Sequence, residues 1–317
     1  MNISIVIPLL NEEGSLEELY HWIAKVMRSN GFLYEIIFID DGSTDGSWEQ
    51  IEKLTGAHDE VKAIRFQKNF GKSQALHAGF MLAQGEVVIT MDADLQDNPE
   101  EIPDLYRMVM EGRYDLVSGW KKKRFDAKLT KNFPSKLFNF AARKTSGLKL
   151  HDFNCGLKAY RSEVVKTIEV TGEMHRYIPV LAKNAGFANI GEKVVQHQAR
   201  KYGATKFGAE RFVRGFLDLI TIWFLSRFGK RPMHLFGAWG ALMLLVGFLL
   251  TLYLGIDKLF LDPTGRPIAQ KPQFYIALTA MVLGTQLFMA GFLGELILRN
   301  TKEPDNYIIK EQRNVKE

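Results

Sequence analysis

Two short acidic segments hold the side chains of this 317-residue chain best placed for chemistry: Asp40-Asp41-Gly42-Ser43-Thr44-Asp45 and Asp92-Ala93-Asp94-Leu95-Gln96-Asp97. Each follows an apolar, largely β-branched run, Ile36-Ile37-Phe38-Ile39 before the first and Val87-Val88-Ile89-Thr90-Met91 before the second. That layout puts clustered carboxylates at the carboxyl edge of a buried strand, the edge at which open α/β sheets bind ligands. Carboxylates there suit a hard divalent cation shared with phosphate oxygens. Asp-Gly and Asp-Asn pairs also form plain turns, but the same strand-then-acid arrangement occurring twice favours a site. Pro8-Leu9-Leu10-Asn11-Glu12-Glu13 closes the first apolar run and brings Asn11 and Glu12 to the same edge. Those two residues also suit a helix start. Polar groups converging from three strand ends suit a base and a ribose.

The elements that must position these residues alternate. Strands are expected at Ile3–Ile7, Glu35–Ile39, Ala63–Phe66 and Glu86–Met91, with helices at Ser15–Ser29, Ser47–Leu54 and Lys72–Ala83. Such alternation predicts an α/β fold with a mainly parallel, doubly wound sheet and helices on both faces. Asn69-Phe70-Gly71-Lys72-Ser73 does not make a P-loop, because position 66, where the first glycine belongs, is Phe. The first strand is not followed by Gly-x-Gly-x-x-Gly, which argues against a dinucleotide dehydrogenase.

The last third changes character. No Asp, Glu, Lys or Arg lies between Arg231 and Asp257, nor between Lys271 and Glu295. Each stretch exceeds the roughly 20 residues that cross a bilayer core. Arg227, Lys230 and Arg231 precede the first stretch, and Arg299 and Lys302 follow the second. The positive-inside rule therefore puts both ends in the cytoplasm, although the connecting loop carries Lys258, Arg266 and Lys271. The N-terminus lacks the basic start and small-residue cleavage site of a signal peptide. The expectation is a multi-pass protein of the cytoplasmic (inner) membrane with its catalytic part on the cytoplasmic side. The expected domains are a catalytic part at 1–205, a juxtamembrane amphipathic helix at 206–231, a two-helix hairpin at 232–299 and a cytoplasmic tail at 300–317. Stretches 133–146 and 207–228 are amphipathic and suit either the soluble core or the bilayer surface. Gly237, Gly240, Gly247, Gly284, Gly291 and Gly294 permit close helix packing, within a hairpin or between copies in a homo-oligomer.

Charge is unevenly spread. From Lys121 to Lys149 ten Lys or Arg residues accompany one acid, Asp126, in a chain whose net charge is +5. Such a block attracts anions, whether nucleic acid, lipid headgroups or a phosphorylated substrate. It has no nucleic-acid recognition motif beside it, and the chain then enters a membrane, so nucleic acid is not an expected partner. Cys155 is the only cysteine, which excludes an intrachain disulfide and a cysteine-based zinc site.

Taken in order, Pro8-x-x-Asn11-Glu12, Asp40-Asp41-Gly42-Ser43-x-Asp45, Asn69-x-Gly71-Lys72 and Asp92-Ala93-Asp94-Leu95-Gln96 resemble the family 2 glycosyltransferases of GT-A fold. Asp94-Leu95-Gln96-Asp97-x-Pro99-Glu100 is similar to the polyprenyl-phosphate branch, which includes dolichyl-phosphate mannose synthase and bacterial undecaprenyl-phosphate glycosyltransferases. Asp152-x-x-x-Gly156-x-Lys158-Ala159-Tyr160-Arg161, His175-Arg176-Tyr177-Ile178-Pro179 and Arg200-x-x-Gly203-x-x-Lys206 extend the likeness over about residues 1–230. The resemblance implies that Pro8, Asn11, Glu12, Asp40 and Asp41 hold the nucleoside of a nucleotide sugar, with Lys72 and His175 also in the donor site and Asp92 near ribose and diphosphate. Asp94 and Gln96, with Asp92 beside them, would bind Mg2+ or Mn2+. Arg200 and Lys206 would steady the leaving diphosphate. Arg124, Lys131 and Ser135 would receive the lipid phosphate, a task open also to Lys121–Lys123. Asp152 would either organise the basic cluster or touch the sugar.

Many family 2 enzymes that glycosylate sugar hydroxyls carry a Glu-Asp pair as base, and no Glu-Asp dipeptide occurs in this chain. A hydroxyl acceptor would need such a base. A lipid phosphate is already ionised near neutral pH and needs only positioning and charge screening. The expected enzyme is therefore an inverting, membrane-bound transferase. It would move a hexosyl group from a UDP- or GDP-sugar to undecaprenyl phosphate, for cell-envelope glycan modification. The alternatives are a transferase to a lipid hydroxyl, a processive polysaccharide synthase, whose Gln-x-x-Arg-Trp motif is missing here, and a non-catalytic nucleotide-sugar-binding adaptor.

Overall fold

The computed structural model describes residues 1–122, 139, 142–143, 146–172, 174–198, 201, 224, 228, 231–300 and 309–314. It divides into two compact units, residues 1–223 with 305–317, and residues 224–304.

The first unit is built on an eight-stranded sheet of order β7-β5-β6-β4-β1-β2-β3-β8. The strands are β1 (Ile3–Leu9), β2 (Tyr34–Asp40), β3 (Val61–Phe66), β4 (Val87–Thr90), β5 (Leu116–Trp120), β6 (Lys158–Arg161), β7 (Ile190–Val194) and β8 (Ile309–Arg313). β1 runs parallel to β2 and β4, β2 to β3, and β5 to β7. β6 is antiparallel to both β4 and β5, and β8 to β3. The mainly parallel sheet expected from the alternation is thus present, and each of the four expected strands lies where its apolar run lies.

Alternation within β1 explains the layers. Ile3, Ile5 and Ile7 join the core formed with α1 (Leu16–Ser29), α2 (Ser47–Ala57) and α4 (Ile102–Met110). Val6 points to the opposite core, under α3 (Lys72–Leu82), α5 (Ser162–Thr167) and α6 (Ile178–Asn184). Leu16, Leu19, Tyr20, Ile23 and Met27 recur at helical spacing on α1 and are all buried. Burying each of the Leu, Ile and Met side chains among them contributes about 2 kcal/mol.

The order β3-β2-β1-β4 creates a switch point: from β1 the chain winds outward to β2 and β3, then returns to the other side of β1 as β4. A crevice opens there at the carboxyl ends of the strands. Because β6 runs against its neighbours, its amino end, Lys158, arrives at this same edge.

The second unit is a hairpin of α7 (Met233–Ile256) and α8 (Pro272–Asn300), both long and apolar enough to cross a membrane. A Cβ on Gly240 would lie 2.7 Å from the Gly284 carbonyl oxygen, and one on Gly247 would lie 2.7 Å from that of Ala277. Glycine lets the two backbones touch. After α8 the chain re-enters the first unit: β8 pairs with β3, and Asn314 Nδ2 donates to the carbonyls of Thr55 and Val61, both at 2.9 Å. From the sequence, residues 300–317 are expected as a tail, with no strand in it.

Candidate active site

The loops after β1 and β2 are laced together by polar contacts. Asn11, at a left-handed φ of 56°, donates its backbone N–H to Ser43 Oγ at 2.9 Å and accepts the Thr44 N–H on Oδ1 at 2.8 Å. The Glu12 N–H donates to Ser47 Oγ at 2.9 Å. Asp40 exposes none of its surface; its Oδ1 accepts the Ser43 N–H at 2.8 Å, and its Oδ2 lies 3.4 Å from Arg65 Nε. Burial pushes the Asp40 carboxyl up from its ordinary range despite these partners. Asp41 accepts the Phe70 N–H at 2.7 Å and the Gly71 N–H at 2.9 Å, and burial raises its pKa to about 6. Between these loops Gly42 sits at φ +75°, and a Cβ there would be 2.5 Å from the Lys68 carbonyl carbon. Only glycine allows that approach. Asp40 and Asp41 therefore shape the loops that present Asn11 and Glu12.

Across the switch point, the Asp92 carboxylate forms an ion pair with Lys72, the first residue of α3. Burial alone would raise the Asp92 carboxyl, but Lys72 and then Lys121 hold it well below the carboxylate range. A Cβ on Gly156 would meet the same carboxylate at 2.5 Å, so glycine at 156 makes room for it. Asp94 is buried and its Oδ1 accepts the Gln96 N–H at 3.2 Å. Leu95 between them takes φ 61°, an uncommon conformation for a branched residue, found where a loop is over-determined by its surroundings. Asp92, Asp94 and Gln96 offer hard oxygen donors only, the set that suits Mg2+ or Mn2+. Among the described residues no three His, Cys, Asp or Glu side chains converge on one point. By the chemistry of their oxygen donors, Asp92, Asp94 and Gln96 would hold a hard divalent ion if one binds.

A cleft of about 330 Å³ opens beside Asp92, lined by Pro8, Lys72, Asn154, Lys158, His175 and Arg176 among others. Thr90 Oγ1 donates to the Gly156 carbonyl at 2.7 Å and fixes one wall. Lys158, nearly fully buried, donates to the Cys155 carbonyl, and burial lowers its pKa. The His175 backbone N–H donates to Ser73 Oγ at 2.9 Å, and its ring Nδ1 lies 3.2 Å from the same oxygen. Burial, then Lys72 and Arg176, push the His175 pKa well below its usual range, so the ring is neutral at pH 7.

Asp152 is buried two residues before Asn154, which lines the cleft. Its carboxylate accepts the Asn154 N–H at 3.1 Å, and its backbone N–H donates to Glu192 Oε1 at 3.0 Å. It orders the turn leading to Gly156. Of the basic block, Lys121, Lys122, Arg143 and Lys149 are described; Lys121 lies at the carboxyl end of β5, on the same sheet edge as Asp92, with Nζ 2.8 Å from Asp97 Oδ1. Burial alone would lower the Lys121 ammonium, but Asp97 raises it above its ordinary range. Arg124, Lys131, Ser135, Arg200 and Lys206 lie outside the described residues, as do most of the two amphipathic stretches.

The structure thus brings Pro8, Asn11, Glu12, Asp40, Asp41, Lys72, Asp92, Asp94, Gln96, Asp152 and His175 to one edge. Sequence reasoning gave no role to Lys158, Arg176 or Asp97. Lys158 and Arg176 stand inside motifs already singled out, but only the reversed direction of β6 and the fold of 174–178 bring them to the cleft.

Comparisons with known proteins bear on the family and the fold. The model of the family described as glycosyl transferase family 2 matches residues 4–169. A dodecaprenyl-phosphate galacturonate synthase of Rhizobium johnstonii is 35% identical over 98% of this chain and 93% of its own length. An undecaprenyl-phosphate 4-deoxy-4-formamido-L-arabinose transferase of Pseudomonas paraeruginosa is 36% identical over 94% of this chain and 85% of its own. Among solved structures, glucosyl-3-phosphoglycerate synthase from Mycobacterium tuberculosis with UDP superposes with a TM-score of 0.55. That match, at 20% identity over 71% of this chain and 79% of the other, shows a common fold.

Proposed function

Because this chain belongs to glycosyltransferase family 2, we propose that it transfers a glycosyl group from a nucleoside-diphosphate sugar to the phosphate of a polyprenyl lipid, inverting the anomeric carbon. The observation that carries this reading is identity of 35% and 36%, along nearly the whole chain, to relatives named for dodecaprenyl and undecaprenyl phosphate. Those relatives are named for different sugars and share the lipid phosphate, so the acceptor is the constant on which the reading stands.

In this reading an oxygen of the lipid phosphate attacks the anomeric carbon opposite the leaving group. A carbon–oxygen bond to the lipid phosphate forms as the bond to the nucleoside diphosphate breaks. The nucleophile arrives ionised, so no residue has to remove a proton. The laced loops around Asn11, Glu12, Asp40 and Asp41, with Pro8, hold the nucleoside. Lys72 and Asp92 meet ribose and diphosphate as a charge pair, and neutral His175 offers a hydrogen bond without adding charge. Asp152 keeps the 152–156 turn in place beneath the sugar. Arg200 and Lys206 offset charge on the departing diphosphate, and Arg124, Lys131 and Ser135 receive the lipid phosphate. Mg2+ or Mn2+ held by Asp92, Asp94 and Gln96 would neutralise diphosphate charge.

The hairpin supports delivery from a bilayer, the inner membrane in this reading. Two candidate spans lie in the chain between the first seven strands and β8, which favours both span ends on one side of the bilayer. The basic residues flanking the spans favour the cytoplasm for that side.

Purified protein in detergent, given a panel of radiolabelled UDP- and GDP-sugars, Mn2+ or Mg2+ and undecaprenyl phosphate, tests the reading. Label in a mild-acid-labile lipid is the expected result. Label in polymer, or tight nucleotide binding without transfer across the panel, would overturn it.

A further inference from the structure

Asp97 takes no part in the steps just described, yet three segments meet on it. Its side chain is fully buried, so it reaches neither solvent nor a substrate. One carboxylate oxygen accepts the Asp92 backbone N–H at 3.1 Å, and the other lies 2.8 Å from Lys121 Nζ. The Asp97 backbone forms an antiparallel bridge with His197. Flanking that bridge, the Gln198 N–H donates to the Gln96 carbonyl at 2.9 Å, and Asn98 Nδ2 donates to Gln196 Oε1 at 3.3 Å. The acidic loop of the donor site, the first lysine of the basic block and the segment running on toward Arg200 are thereby joined through one residue.

We propose that Asp97 is a positioning residue: through Lys121 and the bridge at His197 it fixes the donor loop against the first lysine of the basic block and against residues 196–198, so that order at the donor site is coupled to binding of the lipid phosphate. This rests on the assignment of donor and acceptor segments given above. Paired hydrogen bonds and a buried ion pair have few alternative arrangements, and such contiguous networks carry coupling between sites. Lys121 has little freedom to leave the pair, because parting it would strand a buried carboxylate. The side chain acts only through what it holds, since it cannot touch either substrate.

The test uses the full-length protein in detergent with Asp97→Asn, Lys121→Met and the double variant. Two affinities are read below the unfolding temperature: metal-dependent binding of UDP and GDP, and the apparent KM for undecaprenyl phosphate. Asp97→Asn is expected to weaken both together, each by about tenfold, within the usual range of site-to-site coupling. The double variant should be no worse than the poorer single, because both act through one contact. Lys121→Arg, which keeps the charge, should restore both. Effects that multiply in the double variant, or a lowered thermal midpoint with both affinities unchanged, would overturn the proposal. If Asp97→Asn does not fold, the double variant, which strands no charge, carries the same test: both affinities fall together or the proposal fails. A wild-type protein that moves no sugar to the lipid would sink the assigned function instead, and the nucleotide-binding cycle would still decide whether Asp97 orders the donor loop.

Discussion

The sheet edge and the apolar hairpin solve the burial of polar groups in opposite ways. At the edge, charge meets charge: Asp92 with Lys72, Asp97 with Lys121, Asp40 with Arg65, each in a partly or wholly buried setting. In the hairpin, α7 contains no Asp, Glu, Lys or Arg, and the helices meet where Gly240, Gly247 and Gly284 remove side chains. Buried ion pairs contribute little net stability, because desolvation offsets attraction, but removing one partner is costly. Close backbone packing has no charge to strand, and its sensitivity is to volume alone. The edge should therefore fail when a charge is removed, the hairpin when a carbon is added.

The largest effect is expected at the edge. Asp94→Ala should lower turnover by about a thousandfold, the scale of losing a preorganised electrostatic group, and weaken Mn2+-dependent nucleotide binding. Steady-state kinetics and calorimetry read both, and unchanged activity would remove Asp94 from the site.

The hairpin tests the other half of the comparison. In Gly240→Leu, the added carbon begins 2.6 Å from the Phe288 backbone nitrogen, so overpacking should destabilise α7 against α8 by about 1 to 3 kcal/mol. Detergent-denaturation midpoints measure this, with nucleotide binding expected to persist. Loss of both together would mean that the two regions do not fail separately.

A smaller, pH-dependent effect belongs to Asp41. Burial disfavours the ion and pushes its pKa up to about 6 in the folded protein, from an ordinary 3.8. A carboxyl raised on folding costs stability above the folded value, and that cost disappears as pH falls toward the unfolded value. Relative to Asp41→Asn, the wild type should therefore gain stability from pH 7 down to about 4 and then level off, with a span of about 2 to 3 kcal/mol. Chemical denaturation of both proteins across that range measures the difference. A flat difference would show that the Asp41 amide contacts outweigh its burial.

The same contrast explains what the sequence revealed. Strand and helix periodicity located the sheet, and the acid clusters after Ile39 and Met91 marked the carboxyl ends of β2 and β4, because both signals are local. The hairpin was equally plain from length and missing charge. The partners of the acids were hidden: Lys121 lies 24 positions from Asp97 and Arg65 lies 25 from Asp40, and only strand order brings them together. Asp40 reads as a ligand group in the sequence, whereas the structure shows it wholly covered and turned to loop-building. The glycines of α7 and α8 were open to use within a hairpin or between copies, and Gly240 and Gly284 meet each other. The strand β8 escaped notice because an edge strand on a tail needs no apolar alternation of its own.

In the proposed reaction a phosphate already bearing its charge is the nucleophile, so that cations rather than a base define the acceptor side. Offering the purified enzyme one polyprenyl chain as either its phosphate or its free alcohol, with the same labelled donor, tests that directly. Label should appear on the phosphate alone, at an anomeric configuration opposite to the donor's. Transfer to the alcohol at a comparable rate would contradict the account.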